Sequence, residues 1–392
     1  MFNIIMLFLT LPSLFAGIVT GQSCGTLPEN INFTGHPLRL PDPFTFLNGS
    51  KVTNEAQWRC RRDEISAIVQ RYELGPMPAT PEVKASISSN RLSITVTASG
   101  KTLTMSPTIR LPSSGQPPYP SLIALGGASI PVPNTVALIS YNNEEIAATD
   151  PRGVGKFFDL YGKSATTGGL LAWGWGVSRI LDALEQLGPE TSKIDTKRVA
   201  VTGCSRNGKG AMVAGAFDPR IRLTIPQEGG SGAMGCWRIV SDFKKNGTET
   251  EDAAQIVNGD QWFATEFSKY VNALDKLPHD HHMLAAMIAP RPFLVIENSG
   301  IDYLGPISSY GCATAARMVY DSLGAPEAMG FSQAAHGSSH CQLPSSQNAD
   351  VAAYFDRFLL NKDAVDTKIW KPDSKLVLDM KRWVDWTAPK LV

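Results

Sequence analysis

The stretch RVAVTGCSRNGKGAMVAGAFD, from Arg198 to Asp218, joins an apolar strand to a helix of small residues through a corner that carries Ser205. A strand, a tight turn on a serine and a following helix are the layout of a nucleophile elbow, whose turn requires small neighbours such as Gly203. The usual pattern has a second glycine two residues after the serine, where this chain has Asn207, a residue type that tolerates left-handed backbone. Backbone N–H groups at the helix N-terminus point at any oxyanion that forms there. We therefore predict that Ser205 is a nucleophile; the alternative is a helix-capping serine.

A serine nucleophile needs a base. In proteins with such an elbow the histidine comes late in the chain, in a loop after the last strands, which leaves His336 and His340 in AAHGSSHCQLP among the six histidines. His340 is followed by Cys341, just as Ser205 is preceded by Cys204. A disulfide between these cysteines would hold their Cα atoms roughly 5.5 Å apart and bring the two loops within hydrogen-bonding range. This adjacency favours His340 as the base.

Three carboxylates are candidates for the acid that orients the base. Glu228 follows the strand after the serine helix, in IPQEGG, and Asp302 follows the next strand, where most enzymes of this layout place the acid. Glu297 is a third candidate. The sequence pattern alone favours Asp302.

Strands and helices alternate along most of the chain. Apolar runs bounded by turn residues predict strands in residues 91–112, 119–131, 135–142, 220–230 and 290–300, and WGWGVSRILDALEQL (residues 173–187) predicts a helix. Such alternation indicates a three-layer α/β sandwich with a mostly parallel central sheet. We expect residues 22–392 to form a single catalytic domain of the α/β-hydrolase fold, with an irregular N-terminal segment (about residues 22–80) and no carbohydrate-binding module.

The composition indicates an exported protein. The 36 basic and 36 acidic residues balance, which does not favour nucleic acid or an anionic membrane as a partner. Residues 1–21 form an apolar run ending in small residues and predict a signal peptide, with a membrane anchor as the alternative. Six cysteines suggest three disulfides in such a chain, and sequons at Asn32, Asn48 and Asn246 fit a glycosylated secreted product.

The run HDHH, from His279 to His282, is the remaining cluster of chemically active residues. Zinc is conceivable there, but the spacing is not the i, i+4 pair of a helical zinc site. We predict a structural role at the start of a helix, and no metal or organic cofactor.

Several long motifs in order resemble the fungal glucuronoyl esterases of carbohydrate esterase family fifteen. The segment GCSRNGKGA resembles their Gly-Cys-Ser-Arg-x-Gly-Lys signature. The likeness extends over RGVGKFFDLYG, AWGWGVSRILDALE, PQEGGSGAMGCWR, DHHMLAAMIAPRPFLVIEN, SHCQLP and VDWTAP, which together span most of the mature chain. The resemblance implies an α/β hydrolase that cleaves esters between 4-O-methyl-D-glucuronic acid of glucuronoxylan and lignin alcohols.

The resemblance also implies a role for particular residues. It makes Ser205 the nucleophile, His340 the base and Glu228 the acid, against the preference for Asp302 from the pattern alone. It places the N–H and the guanidinium of Arg206 at the oxyanion and Lys209 on sugar hydroxyls. It implies the disulfides Cys24–Cys60, Cys204–Cys341 and Cys236–Cys312.

The sugar-binding positions depart from the family pattern. The family has a Gln and, eight residues later, a Glu before a Trp-Phe pair; here ETEDAAQIVNGDQWF has Glu251 and Gly259 at those offsets, with Gln255 nearby. The family tryptophan before Leu-Gly is Tyr303. We expect Glu251, Gln255 and Tyr303 to contribute to substrate binding, with an altered preference for the uronate and its 4-O-methyl group.

These observations predict a secreted, monomeric serine esterase that acts on glucuronoxylan and lignin–carbohydrate esters through an acyl-enzyme. Two alternatives remain: a general carbohydrate or feruloyl esterase, and a catalytically weakened glycan-binding relative.

Overall fold

A computed structural model describes residues 24–392. The predicted signal peptide, residues 1–21, lies outside these residues. Among the described helices, none is long and apolar enough to cross a membrane.

A large mixed sheet runs through the molecule. Its strands are β1 (Glu82–Ser88), β2 (Arg91–Ala98), β3 (Lys101–Met105), β4 (Thr108–Arg110), β5 (Tyr119–Leu125), β6 (Ala137–Tyr141), β7 (Ile194–Cys204), β8 (Leu223–Gln227), β9 (Phe293–Asn298), β10 (Met329–Ala334) and β11 (Trp370–Lys371). They lie in the order β1-β2-β4-β6-β5-β7-β8-β9-β10-β11, with β3 paired to β2 outside this path. The strands from β6 to β11 pair in parallel, and β1 to β4 form an antiparallel extension.

Helices cover both faces of the sheet. The α-helices are α1 (Glu55–Val69), α2 (Lys156–Tyr161), α3 (Gly169–Ser192), α4 (Arg206–Phe217), α5 (Trp237–Lys245), α6 (Ala253–Gly259), α7 (His281–Ala286), α8 (Pro306–Ser322) and α9 (Ser345–Tyr354). The molecule therefore has the α/β-hydrolase fold, a three-layer sandwich around a mostly parallel sheet, as expected.

The two-residue period of the strands divides the core between the layers. Ile123 and Val201 belong to one buried cluster that includes α3 and α4, while their neighbours Leu122 and Ala200 belong to a second cluster with Tyr354 of α9. Successive side chains of a strand point to opposite faces, so an all-apolar strand supplies both layers. This explains why these strands appear in the sequence as continuous apolar runs.

The N-terminal segment is more regular than expected. Helix α1 is capped by Asn54, whose side chain accepts a hydrogen bond from the Gln57 N–H, and the helix continues into a π-helical turn at Gln70–Leu74. The prediction of an irregular segment was wrong here because charged residues interrupt the apolar face. Arg61, for example, is buried beside Glu64, with which it forms an ion pair.

Three disulfides join distant parts of the chain: Cys24–Cys60, Cys204–Cys341 and Cys236–Cys312. These are the pairs that the resemblance implies. The second of them joins the end of β7 to the loop between β10 and α9, so it determines where the candidate active site lies.

Candidate active site

The corner after β7 holds Ser205 in a strained backbone conformation. Ser205 has φ 60° and ψ −129°, outside the regions that a non-glycine residue normally adopts. Its N–H donates to the Gln227 carbonyl at 3.0 Å, and its own carbonyl accepts from the Lys209 N–H at 3.1 Å. These bonds tie the serine to β8 on one side and to α4 on the other. The side chain thus projects at the N-terminus of α4.

Small residues allow the close packing of this corner. A Cβ at Gly203 would clash with the Asn207 backbone, and one at Gly208 would lie 2.7 Å from the Gln227 carbonyl oxygen. Gly208 therefore lets α4 approach β8 closely.

Asn207 does not need its tolerance of left-handed backbone, because it lies within α4. Its Oδ1 accepts a hydrogen bond from Asn143 Nδ2 at 2.9 Å. A Cβ at Gly126, in the loop after β5, would clash with its amide. The asparagine therefore joins the elbow to the loops that follow β5 and β6.

The disulfide between Cys204 and Cys341 brings the serine and histidine loops together. Its Cα atoms are 5.7 Å apart, close to the separation expected from the sequence. A ring nitrogen of His340 lies within 4.8 Å of both sulfurs. The two residues that flank Ser205 and His340 in sequence are thus covalently joined.

Glu228 is the carboxylate that contacts His340. The His340 Nδ1 is 2.8 Å from Glu228 Oε2, and the Cys341 N–H donates to the same oxygen at 3.0 Å. Gln227 Nε2 donates to Oε1 at 3.1 Å. The side chain of Glu228 is fully buried. Burial would raise the pKa of Glu228, but these hydrogen bonds outweigh it and lower the pKa, so the carboxylate stays ionised.

The other two candidate acids lie differently. Asp302 is exposed, in a short 3-10 turn, and the preference for it from the pattern alone was wrong about which carboxylate meets His340. Glu297 is buried on β9 beneath the site. Its burial and the nearby charge of Glu228 raise the pKa of Glu297 to about 8. Glu297 is therefore protonated at neutral pH and does not compete for the histidine.

Lys209 lies buried one turn along α4 from Ser205. Its Nζ donates to the Gly229 carbonyl at 2.7 Å, is 3.6 Å from Glu251 Oε2 and sits 5.2 Å from the ring centre of Trp262. Burial lowers the pKa of Lys209, while the carboxylate of Glu251 opposes that shift. An ammonium with an aromatic face and a carboxylate beside it can contact sugar hydroxyls.

Glu251 and Tyr303 extend this polar group to the surface. The Tyr303 hydroxyl donates to Glu251 Oε1 at 2.9 Å, and the Glu251 N–H donates to the Tyr303 carbonyl at 2.9 Å. The ring of Tyr303 is 47% exposed. Partial burial and the Glu251 charge raise the pKa of Tyr303 to about 12, so it remains a hydrogen-bond donor. The structure thus joins Lys209, Glu251 and Tyr303 in one chain of contacts.

Gln255 lies apart from this chain. Its Oε1 accepts from the Asp252 N–H in the capping box of α6 and also from Lys244 Nζ. The structure therefore assigns its side chain to the helix start rather than to the sugar-binding group. Nearby, a Cβ at Gly259 would meet no atom within 4 Å, so the space for a longer side chain there is open.

Arg206 is the first residue of α4 and is half-exposed. Its Nε donates to Glu144 Oε1 at 3.0 Å, in the loop after β6. Its backbone N–H is at the helix N-terminus, where such groups have no intrahelical partner. This N–H is available to an oxyanion beside Ser205.

The HDHH run is buried and structural. Asp280 caps α7, and Glu73 accepts from the Nε2 atoms of His279 and His281 at 2.5 and 2.6 Å. Burial opposes ionisation of Glu73, but the two histidines outweigh it and hold the pKa of that carboxyl far below its usual range. Burial lowers the pKa of His282 to about 4. The run therefore joins α7 to the π-helical turn after α1.

Two groups of histidine and cysteine atoms within residues 24–392 are close enough to compare with metal sites. They are Cys204, His340 and Cys341, and Cys236, His282 and Cys312. In each group the two sulfurs form a disulfide. A thiolate, rather than a disulfide sulfur, is the cysteine ligand of metals. The sulfurs of both groups therefore serve as disulfide cross-links.

The sequence interpretation missed several residues that line the site. Gln227, Asn298 and Trp262 contact Glu228, His336 and Lys209, respectively. Asn298 ends β9 and Gln227 directly precedes Glu228, so the strand-end positions were a signal that could have revealed both. The position of Trp262 depends on tertiary packing.

Comparisons with known proteins all point to the same family. The family model described as "Glucuronyl esterase, fungi" matches residues 94–324. The chain is 47% identical over 376 residues to the 4-O-methyl-glucuronoyl methylesterase of Hypocrea jecorina, covering 95% of this chain and 80% of that protein. It is also 47% identical to the enzyme of the same name from Thermothelomyces thermophilus, covering 91% and 89% of the two chains.

Solved structures resemble the fold over nearly its whole length. The glucuronoyl esterase catalytic domain from Hypocrea jecorina has a TM-score of 0.89 and 48% identity, covering 93% of this chain and 100% of that chain. A serine-to-alanine variant of the glucuronoyl esterase from Sporotrichum thermophile, in complex with methyl 4-O-methyl-beta-D-glucopyranuronate, has a TM-score of 0.88 and 46% identity. It covers 93% of this chain and 99% of that chain.

Proposed function

The chain belongs to the fungal glucuronoyl esterases and is a carboxylic ester hydrolase, and we propose that it cleaves esters between 4-O-methyl-D-glucuronic acid of glucuronoxylan and lignin alcohols. One observation carries the proposal: the Glu228 carboxylate lies 2.8 Å from His340, whose neighbour Cys341 is joined to the neighbour of Ser205. This arrangement suits acyl transfer through a serine, a base and an orienting acid.

In the proposed mechanism, Ser205 Oγ attacks the carbonyl carbon of the uronate ester while His340 takes its proton. The N–H of Arg206 would stabilise the oxyanion, because it lies at the N-terminus of α4 next to Ser205 and has no intrahelical partner. His340 then donates the proton to the departing alcohol. Water, activated by His340, hydrolyses the acyl-enzyme and releases the uronic acid. Glu228 holds the imidazole in the required tautomer throughout.

The sugar is proposed to be recognised by the group around Lys209. Nζ of this lysine would contact ring hydroxyls, and the exposed ring of Tyr303 would form an edge of the site. A relative bound to methyl 4-O-methyl-beta-D-glucopyranuronate supports a uronate ester as the substrate class.

Export and organisation are part of the same proposal. We infer that the protein is secreted after removal of residues 1–21, acts as a monomer and consists of one catalytic domain over residues 22–392. Three disulfides and the exposed sequon residues Asn32, Asn48 and Asn246 support an oxidising, glycosylating route.

The substrate is tested by comparing hydrolysis of benzyl D-glucuronate with that of a feruloyl ester and an acetylated sugar. We expect the glucuronate ester to have the highest kcat/KM. A higher value for the feruloyl or acetyl ester would indicate a general carbohydrate or feruloyl esterase. Binding of glucuronoxylan without turnover of any ester would indicate a glycan-binding relative.

The nucleophile is tested with Ser205→Ala. We expect kcat to fall by at least about a thousandfold, because only binding and oxyanion contributions survive loss of a triad member. Ser268→Ala, the same change at an exposed position, should keep wild-type activity. A Ser205→Ala variant that retains a tenth of the wild-type rate would refute the assignment.

A further inference from the structure

We propose that His336 is a positioning residue that holds the Glu228 carboxylate in place for His340. Its Nε2 would donate to Oε1 of Glu228, the carboxylate oxygen that His340 does not contact. The inference rests on the proposed hydrolytic function of the same site. His336 is the histidine that the sequence offered, besides His340, as a candidate base.

The argument begins with Asn298, at the end of β9. Its Oδ1 faces two backbone donors, the N–H groups of Gly300 at 2.9 Å and His336 at 3.3 Å. Its Nδ2 donates to the Gly337 carbonyl at 3.0 Å. Flipping the amide would place an amino group against two donors and an oxygen against a carbonyl, so the backbone determines its orientation.

With the amide oriented in this way, Asn298 determines the tautomer of His336. The Asn298 Nδ2 also lies 3.3 Å from His336 Nδ1. A ring nitrogen that faces an amino donor must accept, and a neutral imidazole with an accepting Nδ1 carries its proton on Nε2. Of the two ring nitrogens of His336, Nδ1 therefore accepts and Nε2 carries the N–H.

The Nε2 atom of His336 lies beside the Glu228 carboxylate. His336 Nε2 is 3.5 Å from Glu228 Oε1, and the side chain of His336 is 12% exposed. Among the described residues this buried nitrogen has no hydrogen-bond partner, so its N–H is free to donate to that oxygen. A buried donor whose nearest acceptor is an ionised carboxylate is attracted to it strongly, because little water screens the pair.

The hydrogen-bonding capacity of Glu228 supports this role. A carboxylate has about four acceptor positions, two on each oxygen. Oε2 receives His340 and the Cys341 N–H, and Oε1 receives Gln227. In the proposed arrangement the Nε2–H of His336 would be the fourth donor. Without it, Oε1 would be held by Gln227 alone, and more of the negative charge would act on His340.

Two results are expected from substitution of His336. In His336→Ala, kcat should fall on the order of tenfold with KM unchanged, a size typical of a lost hydrogen bond to a charged group. The acidic limb of the kcat/KM profile should move to higher pH, because the carboxylate then favours the protonated form of His340 more strongly. The other titratable groups facing this carboxylate are His340 and Glu297. His336→Gln retains an N–H donor and should recover most of the rate.

Ser338→Ala is the matched control, because this exposed residue lies in the same loop. Its kcat and pH profile should equal those of the wild type. The inference is overturned if His336→Ala keeps the wild-type kcat and profile. It is also overturned if His336→Ala and His336→Gln lose activity equally with an unmoved acidic limb, since that would be a purely structural effect.

Two further readouts separate this inference from the substrate proposal. All variants are assayed on 4-nitrophenyl acetate as well as benzyl D-glucuronate, so a failure on the glucuronate alone rejects only the substrate. Nitrogen-15 NMR of histidine-labelled protein at pH 7 reports the tautomer without any turnover. We expect a proton on Nε2 of His336 only; a proton on Nδ1, or on both nitrogens, would overturn the inference.

Discussion

At the residue scale, strained backbone is concentrated at the candidate site. Among residues 24–392, seven non-glycine residues have positive φ, and three of them are Ser205 (φ 60°), Glu228 (φ 45°) and Cys341 (φ 63°). Each such residue costs on the order of 1–3 kcal/mol, which the surrounding structure must offset. The disulfide and the buried hydrogen bonds to Glu228 supply that support. The strain therefore lies in the three loops that carry the proposed nucleophile, acid and base.

The acid is tested by comparing Glu228→Gln with Asp302→Asn. We expect Glu228→Gln to lower kcat by at least about a hundredfold, because an amide oriented to accept from His340 lacks the charge that stabilises the imidazolium. Asp302→Asn should change kcat by less than about twofold, because the side chain is exposed. A severe loss in Asp302→Asn alone would transfer the role to that residue.

Lys209 is expected to act on substrate binding. In Lys209→Ala the KM for benzyl D-glucuronate should rise more than kcat falls, because the lost contact is made by the bound substrate before reaction. The matched variant Lys269→Ala removes an exposed lysine and should leave both constants unchanged. A wild-type KM in Lys209→Ala would show that this lysine has only a structural role.

At the scale of elements, the register of β8 and β9 brings two carboxyl groups together. Gln227 of β8 pairs with Ile296 of β9, so the next residues along the two parallel strands, Glu228 and Glu297, are neighbours. Two buried carboxylates cannot both ionise at low cost. Hydrogen bonds from the histidine loop keep Glu228 charged, and Glu297 remains protonated. The two strands thus set opposite protonation states for adjacent acids.

This arrangement predicts a pH dependence of stability. Burial raises the pKa of Glu297 from its ordinary value of 4.5 to about 8, so in that pH window the native state holds a proton that the unfolded state releases. The free energy of unfolding should therefore fall as pH rises from 4.5 to 8, by up to about 1.4 kcal/mol per pH unit from this group. Glu297→Gln removes the contribution, and its stability relative to wild type should increase across the window.

The measurement is urea unfolding of the two proteins at several pH values between 4.5 and 8. The quantity compared is the slope against pH of the difference in unfolding free energy between Glu297→Gln and wild type, because the hydrogen bonds of the amide change the absolute stability but not this slope. Glu55→Gln, at an exposed position on α1, is the control and should parallel the wild type. Parallel curves for Glu297→Gln and wild type would contradict the prediction.

At the scale of the whole molecule, covalent links join segments that are far apart in sequence. Cys204 and Cys341 are separated by 137 residues, whereas Cys24 and Cys60 are separated by 36. Only the longer link lies at the candidate site. The two disulfides therefore provide a matched comparison between a cross-link that positions the site and one that supports the N-terminal segment.

Removal of each disulfide should have a different effect on catalysis. The double variant Cys204→Ala/Cys341→Ala should lose roughly 2–4 kcal/mol of unfolding free energy and most of its kcat, because the serine and histidine loops lose their tether. Cys24→Ala/Cys60→Ala should also be less stable but keep wild-type kcat when assayed well below its Tm. Equal kcat in both variants would show that noncovalent packing alone positions the loops.

The sequence by itself determined the layer architecture, the elbow at Ser205 and the family. Local patterns carry this information, because strand and helix periods, turn residues and a motif around a serine depend on neighbours in the chain. The adjacency of His340 to Cys341 likewise indicated the base. The helical content of the N-terminal segment was missed because buried ion pairs such as Arg61 with Glu64 resemble exposed charge in a sequence.

The residue pattern alone did not decide which acid meets His340, although the family resemblance implied Glu228, and the contact itself is seen only in the tertiary structure. The positions of Gln255 and of His336 relative to Glu228 were likewise decided only by the tertiary structure. These relations depend on strand register and loop conformation. They bring His340 next to Glu228 across 112 residues of sequence, and His336 next to it across 108. The pattern favoured Asp302 because it follows a strand end, yet its side chain is exposed in a short turn. Contacts between loops that are distant in sequence produce no periodic pattern of residues, so they become visible only in the folded structure.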